Sequence, residues 1–289
     1  MWLWGTLRKR LVVCASKFQS RPVSNSSEYL EYDRFFPFCY FHIDWPFSNY
    51  FSPRSQLLGD PKYPRSFAWQ ENSDKIKLFQ YLFSKYSQLG ITKPTDRPIA
   101  IRGLIDRLEA KLGTTVNFGI FECYLHRSLL WQRSSSTRMQ RIADETNLIA
   151  PSWSWMAYDG QIDYMEIDFG SVSWLQRVRL VDGLLETQVR KFQNCIIKPQ
   201  NDSSGTCVMS DNTGNGDSWL KYDGDDKTDV RTLRCVIIGR KTQVSIGERH
   251  YYILVVTPSR LSETFERVGI GSISERFIQF SSAVDAQIV

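Results

Sequence analysis

The apolar residues of this chain change their period once, and that change limits the folds open to it. Ile76, Phe79, Phe83 and Tyr86 recur at i, i+3, i+7 and i+10, which places them on one face of a helix. Ser73 or Asp74 can cap its start, and Gly90 sits where a glycine would stop it. A second helix is predicted from about Arg97 to Leu112, with Thr95 or Asp96 as N-cap, Pro98 in the first turn, Gly113 after the end, and a stripe of Ile101, Leu104, Ile105, Leu108 and Leu112. A third is predicted from about Phe118 to Trp131, burying Phe118, Phe121, Leu125 and Leu129. Three amphipathic helices on short connections predict a compact bundle.

From Pro151 onward the pattern is that of strands. Ile162 to Phe169, Ser173 to Leu180, Gly183 to Val189, Leu233 to Gly239 and Tyr251 to Thr257 alternate or run apolar at strand length. Val181-Asp182-Gly183 reads as a hairpin junction, because Asp-Gly readily takes positive φ. The predicted class is α+β, a small helical bundle followed by a β-rich domain, either an antiparallel sheet or barrel-like. Residues 1–68 form an irregular aromatic and Pro-rich segment, 69–148 the helical region, and 149–289 the β-rich domain, with a mobile loop near 200–217 that is rich in Asn, Asp, Ser and Gly.

Composition excludes several classes. The chain has 289 residues with 42% hydrophobic and 23% charged, an ordinary globular balance far from that of disordered chains. No apolar run approaches the roughly 20 residues of a membrane span. The net charge of +5 is scattered among 31 acidic residues, and the clusters Arg8-Lys9-Arg10 and Arg240-Lys241 are too short to form a nucleic-acid face. Six cysteines lie far apart, unlike a secreted disulfide scaffold, so reduced and mostly buried thiols are expected, with a cytoplasmic address. The first 27 residues carry five basic residues and no acid, which is faintly like a mitochondrial presequence.

Candidate chemistry is thin. Cys39 with His42 and Cys123 with His126 repeat a spacing that a Cys2His2 zinc site could use, but buried thiols and a satisfied histidine account for them more simply. Asp159, Asp163, Glu166 and Asp168 lie near Trp153 and Trp155, a combination used by glycan-acting hydrolases. The stretch from Asp211 begins like a calcium loop with Gly216 in sixth place, yet Tyr222 stands where the bidentate Glu belongs. Gly269-Ile270-Gly271 lacks the third glycine of a dinucleotide fingerprint. No nucleophile signature frames a cysteine or serine. No catalytic residue, cofactor-binding residue or metal ligand is therefore assigned, and no cofactor is expected.

One block stands out from this background, Pro151-Ser152-Trp153-Ser154-Trp155. As a strand it would put both indoles on one face and both serines on the other, with each indole N–H given to a backbone carbonyl. Read in order, Trp69, Tyr86-Ser87, Thr92, Asp96, Ala100-Ile101, Gly103, Phe118-Gly119-Ile120-Phe121, Leu129-Leu130-Trp131 and the Ala150-to-Trp155 block with Gly160 form a series. Tyr222-Asp223, Leu254 to Pro258 and Phe265-Glu266-Arg267-Val268-Gly269 complete it as closing strands. That series resembles the C-terminal region of fungal heterokaryon-incompatibility (HET) proteins, over roughly Trp69 to Val289. Such proteins begin with a signalling domain related in fold to TIR domains, with an "LSYVWG"-like opening and a "TRGWTLQE"-like close, and neither mark occurs here. The resemblance implies a C-terminal region lacking that domain, possessing no catalysis of its own, and a truncated form is one reading of it. It would act through unidentified protein partners in allorecognition and programmed cell death. The alternative is a glycan-acting hydrolase using the carboxylates near the Trp153/Trp155 strand.

Overall fold

The computed structural model describes residues 72–134, 138–142, 150–200, 204–214, 217–224, 229–242, 248–259 and 263–289. Gln70–Leu89 and Lys93–Val289 belong to one compact unit. The predicted irregular segment 1–68 lies outside the described residues, as do Cys39 and His42.

Helix α1 (Asn72–Ser87) buries Ile76, Phe79, Phe83 and Tyr86, the residues of the predicted apolar face. It packs against β6 (Ile162–Tyr164), where the backbone N–H of Ile162 donates to Ser87 Oγ at 2.9 Å. The second helix is interrupted at Ile101, giving α2 (Arg97–Ala100) and α3 (Arg102–Leu112), and ends at Gly113 in the left-handed conformation. The residues expected to form a third helix do something different. Val116–Asn117 (β1) and Ile120–Phe121 (β2) pair as a hairpin, followed by a short 3-10 turn, α4 (Leu125–Leu129) and β3 (Trp131–Arg133). Gly119 explains the departure. The chain turns there with φ of 47° at Phe118 and 77° at Gly119, so that Gly119 can lie on the Trp155 ring. A helix through these residues would carry neither angle.

β4 (Gln140–Arg141) pairs with β5 (Tyr158–Asp159), and β3 pairs with β6. The predicted strand Ile162 to Phe169 keeps only its first three residues as β6. Beyond them the carbonyls of Ile167 and Asp168 accept from the Arg127 guanidinium at 2.9 and 3.2 Å, so a side chain replaces a neighbouring strand. The rest of the chain, among the described residues, forms one large sheet. Its strands are β7 (Val172–Trp174), β8 (Arg179–Val181), β9 (Leu184–Phe192), β10 (Ile196–Pro199), β11 (Cys207–Ser210), β12 (Ser218–Tyr222), β13 (Arg234–Lys241), β14 (His250–Pro258), β15 (Phe265–Ser274) and β16 (Ile278–Ile288). Asp182 and Gly183 both take positive φ in the β8–β9 turn, as their sequence requires. Strand β11 lies inside the stretch expected to be loop, and pairs with β10 and β12 through alternate buried residues Cys207 and Met209.

The sheet curls on itself, so the β-rich part is barrel-like. β16 runs antiparallel to β9 and meets the start of β15 in parallel at Phe265↔Ile288. β15, β14, β13, β9 and β16 thereby close a ring through that one pair. β12, β11 and β10 continue outward from the other half of β15, and β10 is blunted by Lys198 and Pro199. Phe192, Leu220, Ile237, Ile253, Ile273 and Phe277 belong to one buried apolar cluster against the sheet. β14 is buried on both faces from Tyr251 to Val256, and so reads as a continuous apolar run rather than an alternation. Gly269 and Gly271, which lacked a dinucleotide context, permit β12 and β15 to approach. A Cβ at either would lie 2.5 Å from a backbone oxygen of β12.

A test of the Gly119 contact follows from its geometry. A Cβ there would lie 2.4 Å from Trp155 Nε1, on top of the positive φ. Gly119→Ala is expected to cost about 2–4 kcal/mol in urea unfolding, combining backbone strain with overpacking. Gly113→Ala, with positive φ but open space, should cost only about 1–2 kcal/mol.

Candidate functional site

The Pro151-to-Trp155 block is a turn leading into a 3-10 turn at Trp155–Ala157, rather than the predicted strand. Both tryptophans are fully buried, and so are both serines, which the strand reading had placed on the opposite face. Buried hydroxyls need partners, and here they tie distant backbone together. Ser154 Oγ donates to Phe118 O at 2.6 Å and accepts from Met156 N at 3.0 Å. Ser152 Oγ accepts from Arg267 N at 2.8 Å and donates to the Val289 backbone oxygen. Ser152 N also donates to that oxygen, at 2.9 Å.

The indoles differ from expectation too. Trp131 Nε1 donates to Trp153 O at 2.9 Å, whereas Nε1 of Trp153 and of Trp155 has no hydrogen-bond partner among the described residues. Close packing takes the place of a partner. Trp155 meets Phe83 at 5.3 Å and Tyr86 at 6.1 Å, and Trp153 meets Phe118 at 6.2 Å.

At the centre lies Arg267, with its side chain fully buried against an equally buried Asp223. Nε and Nη2 bond the two carboxylate oxygens at 3.0 and 3.2 Å, a bidentate fork. Nη1 donates to Leu129 O at 2.7 Å and Nη2 to Trp131 O at 2.6 Å, while the guanidinium carbon stands 3.4 Å from the Trp131 ring centroid. A bulge positions this residue. Val255 pairs with Gly269 and Val256 with Arg267, leaving Val268 as the extra residue of β15, and its carbonyl accepts from Asp223 N at 2.9 Å. Burial pushes the Asp223 carboxyl above the ordinary aspartate range, and Arg267, Arg133 and Arg141 pull it back. Tyr158, whose hydroxyl donates to Arg267 O at 3.1 Å, is raised by burial to about 12.

The sequence-nominated chemical groups are dispersed. Asp159 pairs with the buried Arg97 at 3.0 Å. Asp163 is half-buried and raised by desolvation, and Glu166 and Asp168 face solvent. With Trp153 and Trp155 enclosed, neither offers a ring face on which a sugar could stack. His126 donates from Nε2 to Leu175 O at 2.6 Å and stacks on Trp174 at 5.6 Å; burial lowers its basicity. Cys123 is exposed, with its thiol raised by desolvation. Asp211 serves a turn, accepting from Thr213 N and Oγ1 at 2.9 and 2.6 Å.

A different set of groups does converge. One donor atom each from Asp217, Glu248 and His250 lie within 4.8 Å of one another. Asp217 precedes β12, His250 opens β14, and Glu248 stands two residues before it. No sequence spacing linked Asp217 to the other two, because separate strand ends bring them together.

No helix among the described residues is long and apolar enough to cross a membrane. No family model matches the chain, no curated protein matches it, and no solved structure matches it.

The Arg267–Asp223 pair yields a double-mutant test. Asp223→Asn or Arg267→Met alone leaves a buried charge without its partner and is expected to cost about 3–5 kcal/mol in urea unfolding. The double substitution to Asn and Met should cost clearly less than the sum of the two. Ser152→Ala, which strips a partner from Arg267 N, should cost about 1–3 kcal/mol.

Proposed function

We propose that the chain is a non-catalytic, cytoplasmic interaction region of a HET-type protein, working through protein partners in fungal allorecognition and programmed cell death. One observation supports this reading above the others. Residues of the series that resembles HET proteins, separated by as many as 181 positions from Tyr86 to Arg267, meet in one buried assembly. Tyr86 gives its hydroxyl to Arg97 O, Ser87 accepts from Ile162 N, Gly119 seats Trp155, and Trp131, Ser152, Asp223 and Arg267 share the central network. Thr92, Asp96, Ala100 and Gly103 of the same series are exposed and nothing in the structure explains them, and Trp69 lies outside the described residues.

A series explained for the most part by packing supports a structural region better than an enzyme, whose signature residues would touch substrate. The region would then serve to present a surface, or to hold a signalling domain in check. Expression in a filamentous fungus tests this directly. Joined to a HET signalling domain, the chain is expected to alter the growth arrest which that domain causes alone, and to co-purify with it when the two are co-expressed as separate chains. An unchanged arrest without co-purification would sink the reading. Release of reducing sugar from a glycan panel, abolished by Asp163→Asn in a folded variant, would establish the hydrolase in its place.

A further inference from the structure

The strand ends that carry Asp217, Glu248 and His250 are built with more care than a surface ion pair requires. His250 pairs in register with Ser274 across β14 and β15. Ser274 Oγ donates to Glu248 Oε2 at 2.7 Å, and Ser274 N donates at 2.9 Å to the hydroxyl of Ser218, the neighbour of Asp217. Ser218 and Ser274 are both buried. Arg276 Nη1 stands 3.4 Å from Glu248 Oε1 and 3.4 Å from Asp211 Oδ2. His250 has a side-chain exposure of 13%, and its Nε2 lies 3.1 Å from Asp217 Oδ2.

We propose that Asp217, Glu248 and His250 form a binding site for a divalent transition cation of the zinc class. The three donors are an imidazole nitrogen and two carboxylate oxygens, a set that suits zinc and its neighbours, whereas calcium and magnesium take oxygen ligands. The 3.1 Å between His250 Nε2 and Asp217 Oδ2 is close to the ~3.4 Å separating two ligands of a tetrahedral ion with bonds of about 2.0–2.1 Å. Glu248, within 4.8 Å of both, closes the triad with a small side-chain movement. Each Glu248 oxygen retains a lone pair beside its hydrogen bond to Ser274 or its ion pair with Arg276. Those two contacts would orient a ligating carboxylate.

Charge points the same way. Asp217 and Glu248 bring two carboxylates to one place, and their oxygens attract a dication together. Three protein ligands leave the fourth tetrahedral position to water. A cation bound at Nε2 takes that nitrogen's lone pair, which leaves the imidazole proton on Nδ1. The site is independent of the HET reading, since it uses none of the residues in that series.

The test uses the full chain stripped by a chelator. Zinc is titrated against a chromophoric competitor, and cobalt(II) is followed separately by absorption. One equivalent should bind, with cobalt d–d bands but no thiolate charge-transfer band, which separates this site from any cysteine site. Asp217→Asn and His250→Ala should each remove that equivalent, and Ser274→Ala should weaken it about tenfold. Thermal melting by circular dichroism confirms that each variant is folded, and the exposed Asp217 supplies a variant that leaves the core untouched. Absence of binding in the parent, or an equivalent retained in Asp217→Asn, would overturn the proposal and leave an ion-pair network only.

Discussion

A guanidinium held out of water needs hydrogen-bond partners inside the protein, and Arg267 makes four side-chain hydrogen bonds to separate segments. Its charge is met by Asp223 after β12, two further N–H groups by carbonyls at Leu129 and Trp131, and its flat face by the Trp131 ring. Its own backbone takes Ser152 on one side and Tyr158 on the other. Removing an ion of this kind from water costs several kcal/mol, and only a complete and well-aligned set of partners returns it. The helical side, the Ser-Trp block and the closed ring of strands therefore share one registration point. A shift of any of them leaves a buried charge or donor unmet.

The ring depends on the same point. β16 reaches β15 next to Phe265, and the backbone oxygen of Val289 accepts from Ser152, which in turn accepts from Arg267 N. The bulge at Val268 serves both ends of this arrangement, aiming Arg267 inward and giving Asp223 N a carbonyl. Buried polar networks of this type specify one packing among many that an apolar core would tolerate. Specification of a single packing is also what the proposed role asks for, since a surface offered to partners must keep its shape.

Much of the architecture was legible in the sequence where a single physical rule governed it. The face of α1, the glycine end of α3 and the Asp182-Gly183 turn each follow from local patterning. Failures fell where a distant residue decided the backbone. Phe118-Gly119 has helical spacing around it, yet the Trp155 ring, 36 residues from Gly119, requires a turn. Ile167 and Asp168 alternate like a strand, yet Arg127 takes their carbonyls. The serines of the Ser-Trp block look like an outward face, and became buried because Phe118, Arg267 and Val289 offered them partners. The Asp217, Glu248 and His250 group had no sequence signal at all, because Asp217 comes from a different strand end from the other two.

By itself, then, the sequence determined the class of fold and the places where period, turn chemistry and composition act over a few residues. Local sterics and burial periodicity act on neighbours in the chain, so a sequence displays them directly. Tertiary structure alone decided what those residues are for. Arg267 with Asp223, Ser152 with Val289, and Asp217 with Glu248 and His250 are pairings across 44, 137 and 31 or more positions. Such pairings carry no period. They exist only once the sheet has closed and brought their backbones within hydrogen-bonding distance.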